Sequence, residues 1–291
     1  MYTGYVHMNL TDEQISQFYL DDSFLLDYTL PNQYVVLFDG EGNLLDIRVN
    51  SRGRMEKLCC YEIANEWTGK IKPRNLEQRL AFDMLARDDI RVKVLTGTHG
   101  SGKDLLMSNF AMTKVLRGQY DKIVWVRNNV ELADTVPLGA LPGDVKDKII
   151  DFAMPLADHV GGIDALNQLI GQDKLELVHL GHLRGRDLRN CILYCSEAEN
   201  LTTRQVQLLL GRVGEGSAIY LNGDYRQADR RIFEKDNGLM RMIEVLQGEE
   251  LFGYVKLVKS ERSEVSRLAD LLDKEREEED KVNVEEIYGM R

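Results

Sequence analysis

The sequence predicts an α/β fold in which a parallel β-sheet is covered by helices on both faces, preceded by a small α+β module. From about residue 73 onwards, short apolar runs typical of buried strands alternate with segments long enough to form crossover helices. Such alternation is typical of parallel sheets. The chain has 291 residues, of which 43% are hydrophobic and 29% charged, so it can bury a sizeable core as globular proteins do.

Six apolar runs are the predicted strands of this sheet. They are Val92–Leu95, Ile123–Val126, Leu175–Leu180, Cys191–Cys195, Ala218–Leu221 and Tyr254–Val258. Because ligands bind at the carboxyl ends of parallel strands, the residues that follow each run are the first candidates for a functional site.

Residues 1–72 are predicted to form the separate N-terminal module. Thr11 can cap a short amphipathic helix through Phe18, and the segment 33–49 is predicted to form two strands joined by a glycine-rich turn at 39–42. The segment 69–73 is the predicted linker, since a residue before proline is disfavoured in helical geometry. No residue pattern in the module indicates chemistry.

The net charge of −11 is unevenly distributed along the chain. Residues 1–50 hold eight acidic side chains and one basic side chain, and residues 273–291 hold eight acidic and four basic ones. The middle of the chain is therefore neutral, which argues against a general basic surface for binding polyanions but is compatible with a local basic groove. The segment 273–291 is predicted to be an exposed, acidic, helical or frayed tail.

The four cysteines form no CxxC pair and no metal-ligand spacing with the five histidines, so we expect free, buried thiols. They are Cys59, Cys60, Cys191 and Cys195. No apolar run reaches the roughly 18 residues that a membrane helix requires, and the first residues do not resemble a signal peptide. We therefore expect a cytoplasmic protein that does not contact a membrane.

A glycine-rich loop, GTHGSGKD at 97–104, follows the first predicted strand and precedes the helix-forming LLMSNFAMTKVL. Glycines allow the backbone to curl so that successive N–H groups point at phosphate oxygens, with the positive end of a helix behind them. Lys103 would add a point charge at the outer phosphates. The expected phosphate-binding residues are Gly97, Thr98, His99, Gly100, Ser101, Gly102, Lys103 and Asp104.

Two further clusters follow later strands of the predicted sheet. Ser196 and Glu197 come directly after the strand 191–195, and Asp224 and Gln227 follow the next strand. All of these residues should lie at the same edge as the glycine loop. Considered alone, the loop could also be a simple turn in which Asp104 favours a helix N-terminus; the order and spacing of the three clusters favour a phosphate site.

With these motifs, the chain resembles the PhoH family of P-loop ATPases, relatives of superfamily 1 helicases. The resemblance covers roughly residues 72–272. It is carried by KPRNLEQRLAFDML (72–85), GTHGSGKDLL (97–106), VRNNVELADTVPLGALPGDVKDKI (126–149), LRGRDLRN (183–190), SEAENLT (196–202), GRVGEGSAIYLNGDYRQAD (211–229) and KSERSEVSRLADLL (259–272). Longer members carry an N-terminal PIN ribonuclease domain, which we do not expect in this chain. Short stand-alone members are common in bacteriophages, so we expect a phage-encoded protein.

The resemblance implies a RecA-like ATPase core at 73–272 that binds ATP with Mg²⁺. Gln78, with Asn75 nearby, occupies the position of the glutamine that reads adenine, which favours ATP over GTP. Glu197 matches the residue that positions the attacking water, and Gln227 matches the sensor of the terminal phosphate. Arg262 is the first candidate for an arginine finger within the subunit or from a neighbour.

For the remaining arginines the interpretation stays open. Arg212 is a second candidate for the arginine finger, and Arg184 and Arg186 are candidates for contacts with nucleic acid. Each arginine, Arg262 included, has an ordinary alternative as a surface or interface ion pair.

Four positions depart from the family pattern. Asp104 replaces the usual hydroxyl residue, Ser196 the usual Asp, Glu199 the usual Gln, and Asn128 the usual Pro. The first two side chains approach the same Mg²⁺ in P-loop folds, so their exchange keeps the same oxygen types around the ion. We therefore expect Asp104 and Ser196 to be the metal ligands; the alternative is decay into a nucleotide binder.

The expected function is hydrolysis of Mg-ATP coupled to single-stranded nucleic acid, RNA ahead of DNA by family analogy. Because a single core is present, the resemblance implies a homo-oligomeric ring, with a hexamer favoured. One alternative is a nucleotide-binding regulatory module with little or no turnover. A second, a small-molecule phosphotransferase, lacks the arginine-rich lid that such enzymes need.

Overall fold

The computed structural model describes residues 2–127, 153–224 and 236–259. The N-terminal part contains a four-stranded sheet, two helices and a hairpin. Its elements are β1 (Tyr5–Asn9), α1 (Asp12–Leu20), a 3₁₀ helix (Ser23–Tyr28), β2 (Tyr34–Phe38), β3 (Leu44–Ser51), β4 (Arg54–Lys57), β5 (Ile63–Asn65) and β6 (Gly69–Ile71).

The remaining elements alternate between strands and helices. They are α2 (Leu76–Ala86), β7 (Val92–Gly97), α3 (Lys103–Leu116), β8 (Lys122–Arg127), α4 (Met154–Val160), α5 (Ile163–Gly171), β9 (Leu175–His179), a 3₁₀ helix (Leu180–Leu183), β10 (Cys191–Cys195), a 3₁₀ helix (Ala198–Asn200), α6 (Thr203–Leu210), β11 (Ala218–Gly223), α7 (Gly238–Leu246) and β12 (Phe252–Leu257).

Among the described residues, the second part is built on a six-stranded sheet in which every pairing is parallel. The strand order is β12-β7-β11-β10-β8-β9. All residues of β10 and β11 are buried, as expected for strands covered on both faces. The α/β fold class and all six predicted strands are thus confirmed, with ends that differ by at most two residues.

Helices cover the two faces of this sheet with two separate apolar clusters. Ile192 of β10 packs in a cluster with residues of α2 to α5, whereas its neighbour Leu193 packs in a cluster with α6 and α7. The alternation follows from the period of two along a strand. Because both faces of the sheet are buried, the strands are marked in the sequence by continuous apolar runs and not by an alternation of apolar and polar residues.

The N-terminal sheet has the order β1-β2-β3-β4, with β1 parallel to β2 and the other pairs antiparallel. The predicted helix is confirmed as α1, whose N-cap Thr11 forms a capping box with Gln14. The two strands predicted within 33–49 are confirmed as β2 and β3. The predicted linker at 69–73 is wrong in part, because Gly69–Ile71 pairs with β5 as a hairpin.

A polar network joins the N-terminal sheet to α2 around the fully buried Asp83. Its carboxylate accepts hydrogen bonds from Tyr34 Oη at 2.9 Å, Arg87 Nε at 2.7 Å and the backbone N–H of Cys59 at 2.6 Å. Burial raises the pKa of Tyr34 well above its ordinary value. The two parts of the chain therefore share a packed, hydrogen-bonded contact; the predicted division at residue 72 stays a prediction.

A buried lysine holds the end of α2 against the sheet. Lys93 on β7 is fully buried, and its Nζ donates to the carbonyls of Met84 at 2.9 Å, Leu85 at 2.7 Å, and Arg87. These carbonyls belong to the last turn and the C-cap of α2, where carbonyl groups lack a hydrogen-bond donor within the helix. Burial lowers the pKa of Lys93 well below its ordinary value.

Two further expectations can be compared with the structure, and a third concerns residues outside the described part of the chain. Cys191 and Cys195 are buried free thiols, as predicted. Cys59 is exposed and Cys60 is half-buried, because both follow β4 outside the sheet. None of the described helices has the length and apolar character needed to cross a bilayer. The acidic tail at 273–291 lies outside the described residues.

Candidate nucleotide site

The glycine loop lies between the end of β7 and the start of α3. Gly100 and Gly102 have positive φ angles of 74° and 88°, which side-chain-bearing residues rarely adopt. A Cβ atom on Gly97 would lie 2.7 Å from both the carbonyl of Leu257 and Ser101 Oγ. The loop therefore requires glycine at these three positions, and its tip at His99 and Gly100 is exposed.

The start of α3 is built to accept an anion. Its N-cap, Gly102, makes no side-chain capping hydrogen bond, and the first helical bond runs from Leu106 N to Gly102 O at 2.9 Å. The N–H groups of the first turn thus point out of the helix. Ser101 Oγ is buried and makes no hydrogen bond to any described residue. Lys103 is the first residue of α3, and its side chain is only 8% exposed.

The next strand in the sheet, β11, connects the loop to β10. Asn222 of β11 donates from Nδ2 to Asp104 Oδ1 and to Tyr194 Oη, both at 2.9 Å. Asp104 Oδ2 lies 3.6 Å from Lys103 Nζ, and 38% of the Asp104 side chain is exposed. The carboxylate is therefore oriented by β11 with one side open. Sequence reasoning missed Asn222, although a polar residue at the end of an apolar strand was a usable signal.

Ser196 and Glu197 follow the last buried residue of β10 at the same edge of the sheet. Glu197 has φ 54° and ψ 42°, a left-handed conformation that is uncommon outside glycine and is found preferentially at functional sites. Asp224 follows β11 and is buried. The structure thus brings Lys103, Asp104, Ser196, Glu197 and Asp224 to one edge, with β11 between the loop and β10.

Glu199, one of the four departures from the family pattern, is a buried carboxylic acid. It is 7% exposed, and burial raises its pKa to about 8 although Lys103 and the backbone N–H of Asp224 oppose the shift. A Cβ atom on Gly223 would lie 2.3 Å from Glu199 Oε2, so glycine makes room for this carboxyl. At neutral pH the group is mainly protonated, and in that form it resembles a glutamine in charge and shape.

Asn75 and Gln78 lie at the start of α2, next to the loop. Asn75 Oδ1 accepts from Gln78 N at 2.9 Å and caps the helix. Gln78 is buried; its Nε2 donates to Ser101 O and its Oε1 accepts from Arg74 N, both at 2.9 Å. In this structure Gln78 therefore supports the backbone of the phosphate loop. Its predicted contact with adenine stays a prediction.

The candidate arginines differ in position. Arg186 pairs with Glu176 at 2.8 Å, near the start of β9, and Arg212 Nη1 donates to Arg186 O at 3.2 Å. Both lie near the starts of β9, β10 and β11, at the edge of the sheet opposite the phosphate loop, so Arg212 does not face the loop of its own chain. Arg184 is exposed. Gln227, Arg262 and Asn128 lie outside the described residues.

A glycine loop between a parallel strand and a helix, with a Ser-Glu cluster two strands away in the same sheet, defines the class of P-loop nucleoside triphosphatases. The donors at the loop are N–H groups, a lysine and a hydroxyl, which suit the oxygens of a triphosphate.

Comparison with known proteins identifies the family within this class. The family model described as PhoH-like protein matches residues 70–270, and the chain belongs to this family. The RecA-like core and the family predicted from the sequence are thereby confirmed; a phage origin stays a prediction.

Named relatives agree with this assignment. Protein PhoH2 of Bacillus subtilis is 32% identical over 94% of this chain, and Protein PhoH2 of Thermobispora bispora is 30% identical over 68%. A PhoH-like protein of Bacillus subtilis is 32% identical over 67% of the chain. The aligned regions span 64%, 46% and 61% of these relatives, respectively, so this chain matches only part of each.

Proposed function

We propose that this chain binds Mg-ATP at the 97–104 loop and hydrolyses it, with turnover coupled to single-stranded nucleic acid, RNA ahead of DNA. One observation carries the proposal: the nearly buried Lys103 side chain and an uncapped helix N-terminus meet at a glycine-rich loop. A triphosphate is the anion that suits this arrangement, because backbone N–H groups, a helix dipole and a fixed cation all favour clustered negative charge.

The oxygen donors near the loop also fit Mg²⁺, which prefers hard oxygen ligands and usually keeps several waters. Asp104 offers a carboxylate that is oriented by Asn222 and open on one side. Ser196 offers a hydroxyl at the end of β10. When bound, Mg²⁺ would neutralise charge on the outer phosphates. We assign its protein contacts to Asp104 and Ser196, either directly or through water.

We assign the remaining steps of hydrolysis to other residues of the chain. Lys103 binds the outer phosphates and stabilises the charge that develops on the transferring phosphoryl group. Glu197 orients the attacking water and accepts its proton. Gln227 senses the terminal phosphate, and Arg262 stabilises it within the subunit or from a neighbour. Loop residues 97–104 hold the phosphates, while Asn75 and Gln78 lie on the adenine side.

A ring of identical subunits, with six copies favoured, is part of the proposal. A single core leaves each nucleotide accessible from the outside, and a neighbouring subunit can close the site by supplying an arginine. In such a ring, single-stranded nucleic acid would pass along protein surfaces that change position as ATP is hydrolysed.

The experiment that tests this function is steady-state phosphate release with Mg-ATP, with and without single-stranded RNA or DNA. We expect turnover by the wild type, stimulation by RNA, loss of turnover in Lys103→Ala and no change in Lys57→Ala, which alters an exposed lysine on β4. Absence of turnover in a protein that binds ATP would instead select a regulatory nucleotide-binding module. Turnover that ignores nucleic acid would remove the motor part of the proposal.

A further inference from the structure

An open groove lies where the N-terminal sheet meets the start of α2. Its volume is about 310 Å³, at the small end of the range for ligand sites. It is lined by Phe38, Leu44, Pro73, Arg74, Asn75, Leu76 and Arg79. Two lining residues thus come from β2 and β3 of the N-terminal sheet, and five from the segment that begins α2.

We propose that this groove receives the purine base of the bound nucleotide, with Phe38 as the residue that stacks on it. The inference rests on the function proposed above and goes beyond it, because it gives residues of the N-terminal module a direct part in nucleotide binding. Nothing in the sequence of that module had indicated such a part.

The chemistry of the lining suits a flat, weakly polar ring on an anionic ligand. Phe38, Leu44, Pro73 and Leu76 provide apolar surface, and aromatic rings stack well on nucleobases. Of the seven lining residues, two are arginines and none is acidic, which favours a ligand with negative charge.

The local structure of β2 explains why Phe38 faces the groove. The pairing of β2 with β3 shifts register between Leu37 and Phe38, and a bulge of this kind re-aims the side chain that follows it. Leu37 remains fully buried in the module, whereas Phe38 is half-buried. Phe38 pairs with Leu44 across the strands, so the two side chains line the same groove. The His7 ring packs edge-to-face against the Phe38 ring, with 5.5 Å between the ring centroids.

The groove is connected to the phosphate loop by two hydrogen bonds. Asn75, which lines the groove, accepts from Gln78 N, and Gln78 Nε2 donates to the carbonyl of Ser101 in the loop. Groove and loop thus lie at the same end of α2. One ligand with a base at one end and phosphates at the other can occupy both, which is the reason for choosing a nucleotide over an unrelated apolar ligand.

The test compares two ligands that differ in the base, Mg-ATP and Mg-tripolyphosphate, by titration calorimetry. Phe38→Ala should weaken ATP binding roughly tenfold, the loss expected for one aromatic stack, and change tripolyphosphate binding less than about twofold. Phe38→Leu, which keeps much of the volume in case the alanine variant unfolds, should also weaken ATP binding. Phe38→Trp should retain or strengthen it. Tyr28→Ala, at an exposed aromatic of the same module, is the matched control and should change neither affinity.

The outcomes separate this inference from the proposed function. Unchanged ATP affinity in the folded Phe38→Ala and Phe38→Leu variants would overturn the base groove while leaving an ATP-binding protein. Equal weakening of ATP and tripolyphosphate would also overturn it, because Phe38 would then act through the fold of the loop. Failure of the wild type to bind either ligand would overturn the proposed function and the groove with it.

Discussion

Asn222 and Asp104 are 118 residues apart in the sequence, and the side-chain amide of Asn222 donates a 2.9 Å hydrogen bond to Asp104 Oδ1. The bond crosses from β11 to the first turn of α3. It turns the Asp104 carboxylate toward the strand that lies between the phosphate loop and β10. An aspartate that only stabilised the N-terminus of a helix would need no such partner. The contact with Asn222 therefore supports a role for Asp104 within the site.

The first prediction concerns the proposed exchange of metal ligands between Asp104 and Ser196. Asp104→Thr should lower Mg-dependent ATP turnover at least tenfold, because a hydroxyl then stands at both positions and the carboxylate is lost. The double variant Asp104→Thr with Ser196→Asp should recover most of the turnover by restoring one carboxylate and one hydroxyl. The measurement is phosphate release as a function of Mg²⁺ concentration. A double variant that is no better than the single one contradicts the exchange.

A second prediction separates binding from chemistry at Glu197. Glu197→Gln keeps the size of the side chain but cannot accept a proton from water, so turnover should fall by about 10²-fold or more while ATP affinity stays within a few fold. Phosphate release and ATP titration on the same preparation check this. Glu249→Gln, at an exposed position, serves as control. If Glu197→Gln hydrolyses ATP at the wild-type rate, another group positions the water.

The third prediction concerns the stability contributed by Lys93. Lys93→Met preserves the buried apolar stem but leaves the carbonyls of Met84, Leu85 and Arg87 without their donor. The free energy of unfolding should fall by about 3 kcal/mol, the cost of unpaired buried polar groups. Urea denaturation followed by circular dichroism measures it, with Lys57→Met at an exposed site as the matched control. Equal stability of the two variants would show that these hydrogen bonds contribute little.

The sequence was sufficient for features that depend on local pattern. Apolar runs such as 191–195 marked strands because both faces of the sheet are covered, and the glycine loop was recognisable because φ angles such as that of Gly102 demand glycine. The order of the strands within the parallel sheet could not be predicted from the sequence. That β11 lies between β7 and β10 is decided by tertiary packing, which no local pattern encodes.

Contacts between distant residues account for most of what sequence reasoning missed. Gln78 supports Ser101 across 23 positions, and Asn222 reaches Asp104 across 118. A polar residue near an apolar strand is visible in a sequence, but its partner is fixed only when the strands assemble. The same limit applies to Phe38, whose direction depends on a register shift in the pairing of β2 with β3.

The fourth prediction follows from the buried carboxyl of Glu199. Its pKa is about 8 in the folded protein because burial disfavours the charged form, against an ordinary value of 4.5. Between these two pH values the folded state holds a proton that the unfolded state has released. Stability therefore falls as pH rises across this window, since the unfolded state binds fewer protons. Above pH 8 the folded protein carries the full cost of a buried negative charge.

Glu199→Gln should remove this dependence, because an amide keeps the acceptor for the Asp224 N–H and carries no charge at any pH. Between pH 5 and pH 8 the free energy of unfolding of the variant should rise relative to the wild type by on the order of 3 kcal/mol. Thermal or urea unfolding at several pH values measures the difference, and Glu244→Gln at an exposed position of α7 should show no such divergence. Parallel pH profiles for Glu199→Gln and wild type would mean that the carboxyl is ionised in the folded protein and that its neighbours, Lys103 foremost, compensate for burial.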